Sequence, residues 1–201
     1  MSVNALLTPL SCPRCGKELD GGDRARIFLC RPCGLATHGG DPADVYPLRY
    51  AAAAAGAGTP DLFAPFWRVA GEFSWQTEDR RKQRTYQNLH PLGPLLFPAF
   101  WSPRAAYHDD LTLLYARRPE LIVLRAGNEP LLDGMRSPKA LGELARLAWL
   151  AYFDRTADVT GVGGRFEVKD LAYVGVPFFK RDDRFEDGVL GCKVPASYFS
   201  L

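Results

Sequence analysis

The chain is poor in the residues that most often carry catalysis. Histidine occurs three times in 201 residues, at positions 38, 90 and 108. No nucleophile with a base, no phosphate loop and no open metal site can be assembled around them. His108, Asp109 and Asp110 form the most reactive-looking triplet. Neighbours on a helix point in different directions, so these three cannot converge on one ion, and they are read as a polar helix face. His90 precedes Pro91 in a proline-rich stretch with no partner in view. The run Gly161–Gly164 lacks the lysine and the strand-to-helix context of a phosphate loop and is read as a turn. Cys192 falls on the inward side of an alternating segment, where a buried thiol is inert. The expectation is a protein without a catalytic site.

Two further absences set the class. No apolar run approaches the ~20 residues of a membrane helix, and the opening MSVNALLTPLSC has no basic start and too short an apolar run for a signal peptide. These features predict a soluble, cytoplasmic chain. Neither sign of charge dominates: 25 basic against 23 acidic residues give +2. That is too little to argue for a polyanionic partner, and it favours protein partners over nucleic acid. The hydrophobic fraction, 47%, is enough for a globular core rather than a disordered chain.

What is present is cysteine in pairs. CPRCG at 12–16 and CRPCG at 30–34 place Cys12, Cys15, Cys30 and Cys33 in a C-x2-C-x14-C-x2-C array. Two such turns facing each other supply four thiolates at tetrahedral angles, and four thiolates saturate the ion, so His38 is not needed as a ligand. Gly16 and Gly34 follow each pair and permit the positive φ that folds the turn back. Between the pairs, Asp20–Gly22 and Ala25–Leu29 carry turn and strand signals. Residues 10 to 38 resemble a zinc ribbon, which implies Zn2+ at the four cysteines, a small β module, and roles in transcription, translation or protein docking. A tetrathiolate iron would suit the same loops, whereas disulfides need an oxidising compartment.

The rest reads as an α+β domain with a mostly antiparallel sheet of at least five strands and about two helices. The expected division is a ribbon over 1–48, an Ala/Gly linker over 49–60 and the α+β domain over 61–201. Trp67, Val69, Gly71, Phe73 and Trp75 alternate with polar residues as one strand. Ser-Pro pairs open helices over 103–117 and 138–153. The run Glu120–Arg125 reads as a strand covered on both faces, with further strands over 164–170, 171–179 and 189–194. The stretches 77–84 and 180–188 read as a charged loop and a turn-rich connection. APFWR, FPAFW and VPFFK, at 64–68, 97–101 and 176–180, resemble one another as proline-aromatic strand ends.

These readings together predict a non-enzymatic zinc-ribbon interaction or accessory protein, a scaffold or subunit of a larger assembly with a protein partner. The apolar, proline-broken segment 88–101 must be covered, by the chain's own domain or by a partner, and it is the candidate docking surface, through Leu95, Leu96, Phe97, Phe100 and Trp101. A nucleic-acid-associated factor is the alternative, resting on Arg80, Arg81, Lys82 and Arg84. Electron transfer through iron is the other.

Overall fold

A strand with aromatics on one side and polar groups on the other must have one face covered, and the sheet is built around that demand. The computed structural model describes residues 10–39, 44–87, 92–104, 106–155 and 157–199. The N-terminal strands are β1 (Ile27–Cys30), β2 (Leu35–His38) and β3 (Asp44–Ala51); then come β4 (Leu62–Gln76), α1 (Arg80–Gln87), β5 (Leu95–Pro98), α2 (Ala106–Arg117) and β6 (Leu124–Arg125). The chain continues with α3 (Leu141–Asp154), β7 (Gly163–Arg181), β8 (Arg184–Asp187) and β9 (Lys193–Pro195). The fold is α+β: an open nine-stranded mixed sheet with three α-helices among the described residues. The strand order is β1-β2-β3-β7-β4-β5, with β6 beside β3 and β8–β9 beside β7. Every pairing is antiparallel except β3 with β7.

The long β4–β7 pair is the spine, and its two faces hold separate cores. One face gathers Phe63, Trp67, Val69 and Tyr173 with Trp149 and Phe153 of α3 and with Ile27, Leu29 and Ala36 of the first two strands. The other gathers Phe66, Val174, Val176 and Phe178 with Leu111 and Tyr115 of α2 and the C-terminal Tyr198 and Phe199. The alternation from Trp67 to Trp75 thus sets the covered face: Phe73 stacks on Trp149 at 5.2 Å, and Trp75 on Tyr86 of α1 at 4.3 Å. Ser137 accepts the Lys139 N–H at 3.3 Å and opens the turn leading into α3, as its Ser-Pro pair predicts. The three proline-aromatic segments lie side by side, since Phe66 pairs with Pro98 and Val174, and Ala64 with Val176.

Several expectations are corrected. Residues 80–87 form α1 rather than a charged loop, because Asp79 accepts the N–H groups of Arg81 and Lys82 at 2.8 and 3.2 Å and starts the helix. Of Glu120–Arg125 only Leu124 and Arg125 are strand; Pro119 imposes a 3-10 turn and leaves Val123 61% exposed. The expected strands at 164–170 and 171–179 are one strand, with a bulge opposite Ala70 and Gly71. Within 180–188 only Asp182 and Asp183 separate β7 from β8, Asp182 taking φ 56°. Arg49, Tyr50 and Ala51, placed in the linker, belong to β3. In the segment 88–101, residues 88–91 lie outside the described residues. Leu95, Leu96, Phe97 and Phe100 are buried in the chain's own core, which leaves Trp101, 55% exposed, as the accessible member of the docking set.

Two outcomes follow. Phe97→Asp would bury an unpaired charge, costing several kcal/mol, so the variant should melt early or aggregate, whereas Trp101→Asp should melt within ~0.5 kcal/mol of the parent. Asp187 is 1% exposed. Burial pushes its carboxyl up to about 6 against the opposing N–H groups of Val189 and Leu190 at 2.9 and 3.1 Å. A raised folded-state value favours the protonated native state. This contribution is therefore fully present below the unfolded value of ~3.9 and is lost as pH rises through about 6, up to ~3 kcal/mol by neutral pH. Denaturant melts of wild type and Asp187→Asn should accordingly diverge across pH 4 to 7, with the difference shifting toward the variant as pH rises; parallel curves would show Asp187 untitrated.

Candidate metal centre

Four cysteines that are far apart in sequence pairs come together because two tight turns face one another. The first turn folds back through Gly16 at φ 71°, whose N–H donates to the Cys12 carbonyl at 2.8 Å; the second does so through Gly34 at φ 60°, donating to the Arg31 carbonyl at 3.1 Å. The sulfurs of Cys12, Cys15, Cys30 and Cys33 all lie within 4.8 Å of one another, and those of Cys15 and Cys30 are 3.6 Å apart. A tetrahedral tetrathiolate ion with bonds of ~2.3 Å holds its sulfurs ~3.8 Å apart, so the spacing fits a metal. A disulfide needs ~2.05 Å, and all four thiols are free. Cys12 and Cys30 are buried, while Cys15 is exposed.

The electrostatics of the bare cluster explain why a cation suits it. Burial disfavours the Cys12 thiolate, but the backbone N–H groups of Arg14 and Cys15 outweigh it and hold the thiol near 7. Cys33 is pushed up to about 12 by its hydrogen bond with Cys15 and by burial, and burial likewise raises Cys30. Beside a Cys12 thiolate, Cys30 and Cys33 resist ionising. A dication removes that conflict, and binding must release the protons of the thiols it ligates. His38 ends β2, outside the cysteine cluster.

The centre is also fixed to the body of the sheet. Asn128 to Arg136 forms a strap across the face of the ribbon. Gly134 O accepts the N–H groups of Arg26 and Ile27 at 2.7 and 3.1 Å, Asp133 accepts from Gly22 N at 2.9 Å, and Arg31 donates to Asn128 O at 2.7 Å. Position 134 has no room for a side chain, because a Cβ there would lie 1.8 Å from the Tyr173 hydroxyl. Beneath the strap, Trp67 donates its indole N–H to Arg136 O at 2.8 Å.

The remaining candidate residues scatter. Arg80, Arg81 and Arg84 stand exposed on α1, but Lys82 is engaged by Asp158 at 2.9 Å and the Thr160 carbonyl at 2.7 Å. His108 does not sit on a polar face: it is 6% exposed, packed among Phe100 and Tyr198, with Nδ1 3.3 Å from the Arg136 guanidinium, and burial lowers it to about 4. Asp109 and Asp110 point to solvent instead. His90 lies outside the described residues. Cys192 is half-buried, its thiol pushed up by burial, and takes no part in the cysteine cluster. No helix among the described residues is long and apolar enough to cross a membrane. Sequence reasoning missed the strap, whose signals are Pro130 and Gly134 in an otherwise featureless stretch. Comparison with known proteins finds no match to any family model, curated protein or solved structure.

One metal ion per chain is expected, and Cys15→Ser should lose it, since three thiolates bind far more weakly than four. After chelation, hydrogen exchange should rise throughout β1 and β2 and extend through β3 to its partners Tyr173–Gly175, while distal β4–β7 pairs stay protected. Full metal content in Cys15→Ser, or exchange confined to residues before β3, would contradict this arrangement.

Proposed function

We propose that the chain is a non-enzymatic zinc-binding interaction protein, an accessory or scaffold subunit in which a structural zinc holds a ribbon against the edge of an α+β sheet. The observation that carries this reading is the closed donor set. Four sulfurs within 4.8 Å fill a tetrahedron and leave no position for a water or substrate, which a catalytic zinc keeps open. Zinc is favoured over iron because it is the common occupant of short-spaced paired-cysteine turns and carries no redox demand that the surrounding groups serve. The partner is read as a protein in the cytoplasm. Trp101, 55% exposed beside a cavity of about 310 Å3 shared with Arg24, Asp133 and Met135, is the aromatic such a partner would meet first.

Cobalt substitution tests the closed site. A tetrahedral thiolate spectrum that azide and cyanide leave unchanged is the expected outcome; a spectrum that shifts with added anion would reveal an open position and favour an enzyme. Metal analysis of the native protein separates zinc from iron. The nucleic-acid reading retains three exposed arginines on α1. Its test is fluorescence anisotropy with single- and double-stranded probes at low salt, where phosphate contacts are strongest, and no binding is expected.

A further inference from the structure

We propose that the outer rim of β7 over Gly163–Val168 is a self-association surface. A second copy of this chain adds its own Gly163–Val168 there, antiparallel, about a twofold axis at Phe166. The distal halves of β4 and β7 leave the sheet as a two-stranded arm, Gly71–Gln76 pairing with Gly163–Val168. β5 accompanies β4 only to Val69, and β3 accompanies β7 only at Tyr173–Gly175. Among the described residues, no hydrogen bond reaches the side of β7 away from β4 over 163–168. A bulge closes this open run: Gly71 faces Val168 and Ala70 faces Asp170, which leaves Lys169 with no residue opposite.

The charges on the rim select the partner and its register. Backbone groups facing outward recur at every second residue, so self-pairing must place its twofold axis on a residue. Arg165, Glu167 and Lys169 are exposed on one face. An axis at Phe166 sets Arg165 opposite Glu167 of the other copy, and Glu167 opposite its Arg165. An axis at Arg165 sets that residue against itself. An axis at Glu167 sets Glu167 against itself and Arg165 against Lys169. An axis at Val168 must carry the bulge into the pairing, and one at Gly164 leaves Glu167 beyond it. Only Phe166 joins opposite charges along the straight run. A row of one sign repels a second copy in every register, which is how edges are commonly defended; this alternating row attracts in one register and repels in its neighbours. Lys169 already touches Glu167 at 2.7 Å within the chain, and a carboxylate can accept from two cations.

The face toward α3 fits the same register. Val168, 38% exposed, falls opposite Gly164 of the other copy. A Cβ on Gly164 would lie 2.0 Å from the Phe73 ring, so that ring fills the side-chain space there and offers Val168 an apolar contact. The rim of β4 provides no such choice: Glu72, Ser74 and Gln76 include no base to answer Glu72. Six residues a side make a small interface, so the association is weak and depends on concentration.

The test uses the full-length metal-loaded chain. Sedimentation velocity across a concentration series should show a reversible monomer–dimer equilibrium, and exchange at alternate amides of 163–168 should slow as concentration rises. Arg165→Glu and Glu167→Arg each place like charges opposite one another twice, and each should weaken self-association about tenfold. Both positions are exposed, so the melting temperatures should match the parent's. An equimolar mixture of the two variants should associate as tightly as the wild type, and the double variant, with the charges exchanged, should regain self-association. A wild type that stays monomeric at every concentration, single variants that dimerise as well as the parent, a mixture that stays monomeric, or slowed exchange centred on another segment would each overturn the proposal.

Discussion

Strand β3 is the constraint on which the rest depends, because two structures share it. Its first half, Asp44–Pro47, pairs with β2 and so belongs to the ribbon; its second half, Leu48–Tyr50, pairs in parallel with β7 and so belongs to the main sheet. The register of the ribbon therefore fixes the register of β3 on the spine. A one-residue slip would carry Tyr46 and Leu48 to the opposite face and strip the Tyr46 ring from Trp67, where it sits edge-on at 4.9 Å. Metal binding energy, which folds a module too small to hold a core, thus acts on a strand that the larger core also needs.

The strap closes the same linkage from the other side. Trp67 is fully buried, its ring against Tyr46 and Tyr173 and its N–H on the strap at Arg136. Truncating such a side chain costs ~3–5 kcal/mol in other cores. Here it would also free the strap that carries the hydrogen bonds of Gly134 to the ribbon. The ribbon is consequently held by a shared strand, a shared aromatic cluster and a run of backbone bonds.

The metal centre was legible in the sequence because its rule is local: thiolate spacing and the two glycines that follow determine the turns. The aromatic alternation of β4 was legible for a similar reason, since period two is visible in one segment. What escaped is what depends on partners distant in the chain. Arg49–Ala51 read as linker because the alanine run they open is ended quickly by Gly56, Gly58 and Pro60, yet the burial of Tyr50 is set by Phe63 and by the strap 79 residues on. Leu95–Phe97 read as an irregular apolar segment whose cover local pattern could not name, because Pro91, Pro94 and Pro98 break regular hydrogen bonding; β4 and α2 cover them, Thr112 donating to the Leu96 carbonyl at 2.8 Å. His108 read as polar because its two neighbours are acidic; the face it shares with Leu111 and Thr112 decides otherwise.

Sheet edges explain why a ribbon should sit here at all. An open strand presents a row of unpaired backbone groups on which another chain can add. On one side of β3 those groups are consumed in sequence: β2 pairs with Asp44–Pro47, the Gly34 carbonyl accepts Leu48 N at 2.8 Å, β6 pairs with Tyr50 and Ala51, and the Val123 carbonyl accepts Ala52 N at 2.8 Å. The cover is built from pieces none of which is stable alone: a four-residue hairpin pair tied by cysteines and a two-residue strand left over after Pro119. Two-stranded hairpins are marginal in water, so the cysteine cluster supplies the stability that this cover lacks in hydrophobic area. The new outer edge is β1, only four residues long, and its Ile27 is already bridged to Gly134 of the strap. A short, partly occupied edge is a poor template for chain addition. The cysteine cluster thus ties down a cover that replaces a long reactive edge with a short blunted one.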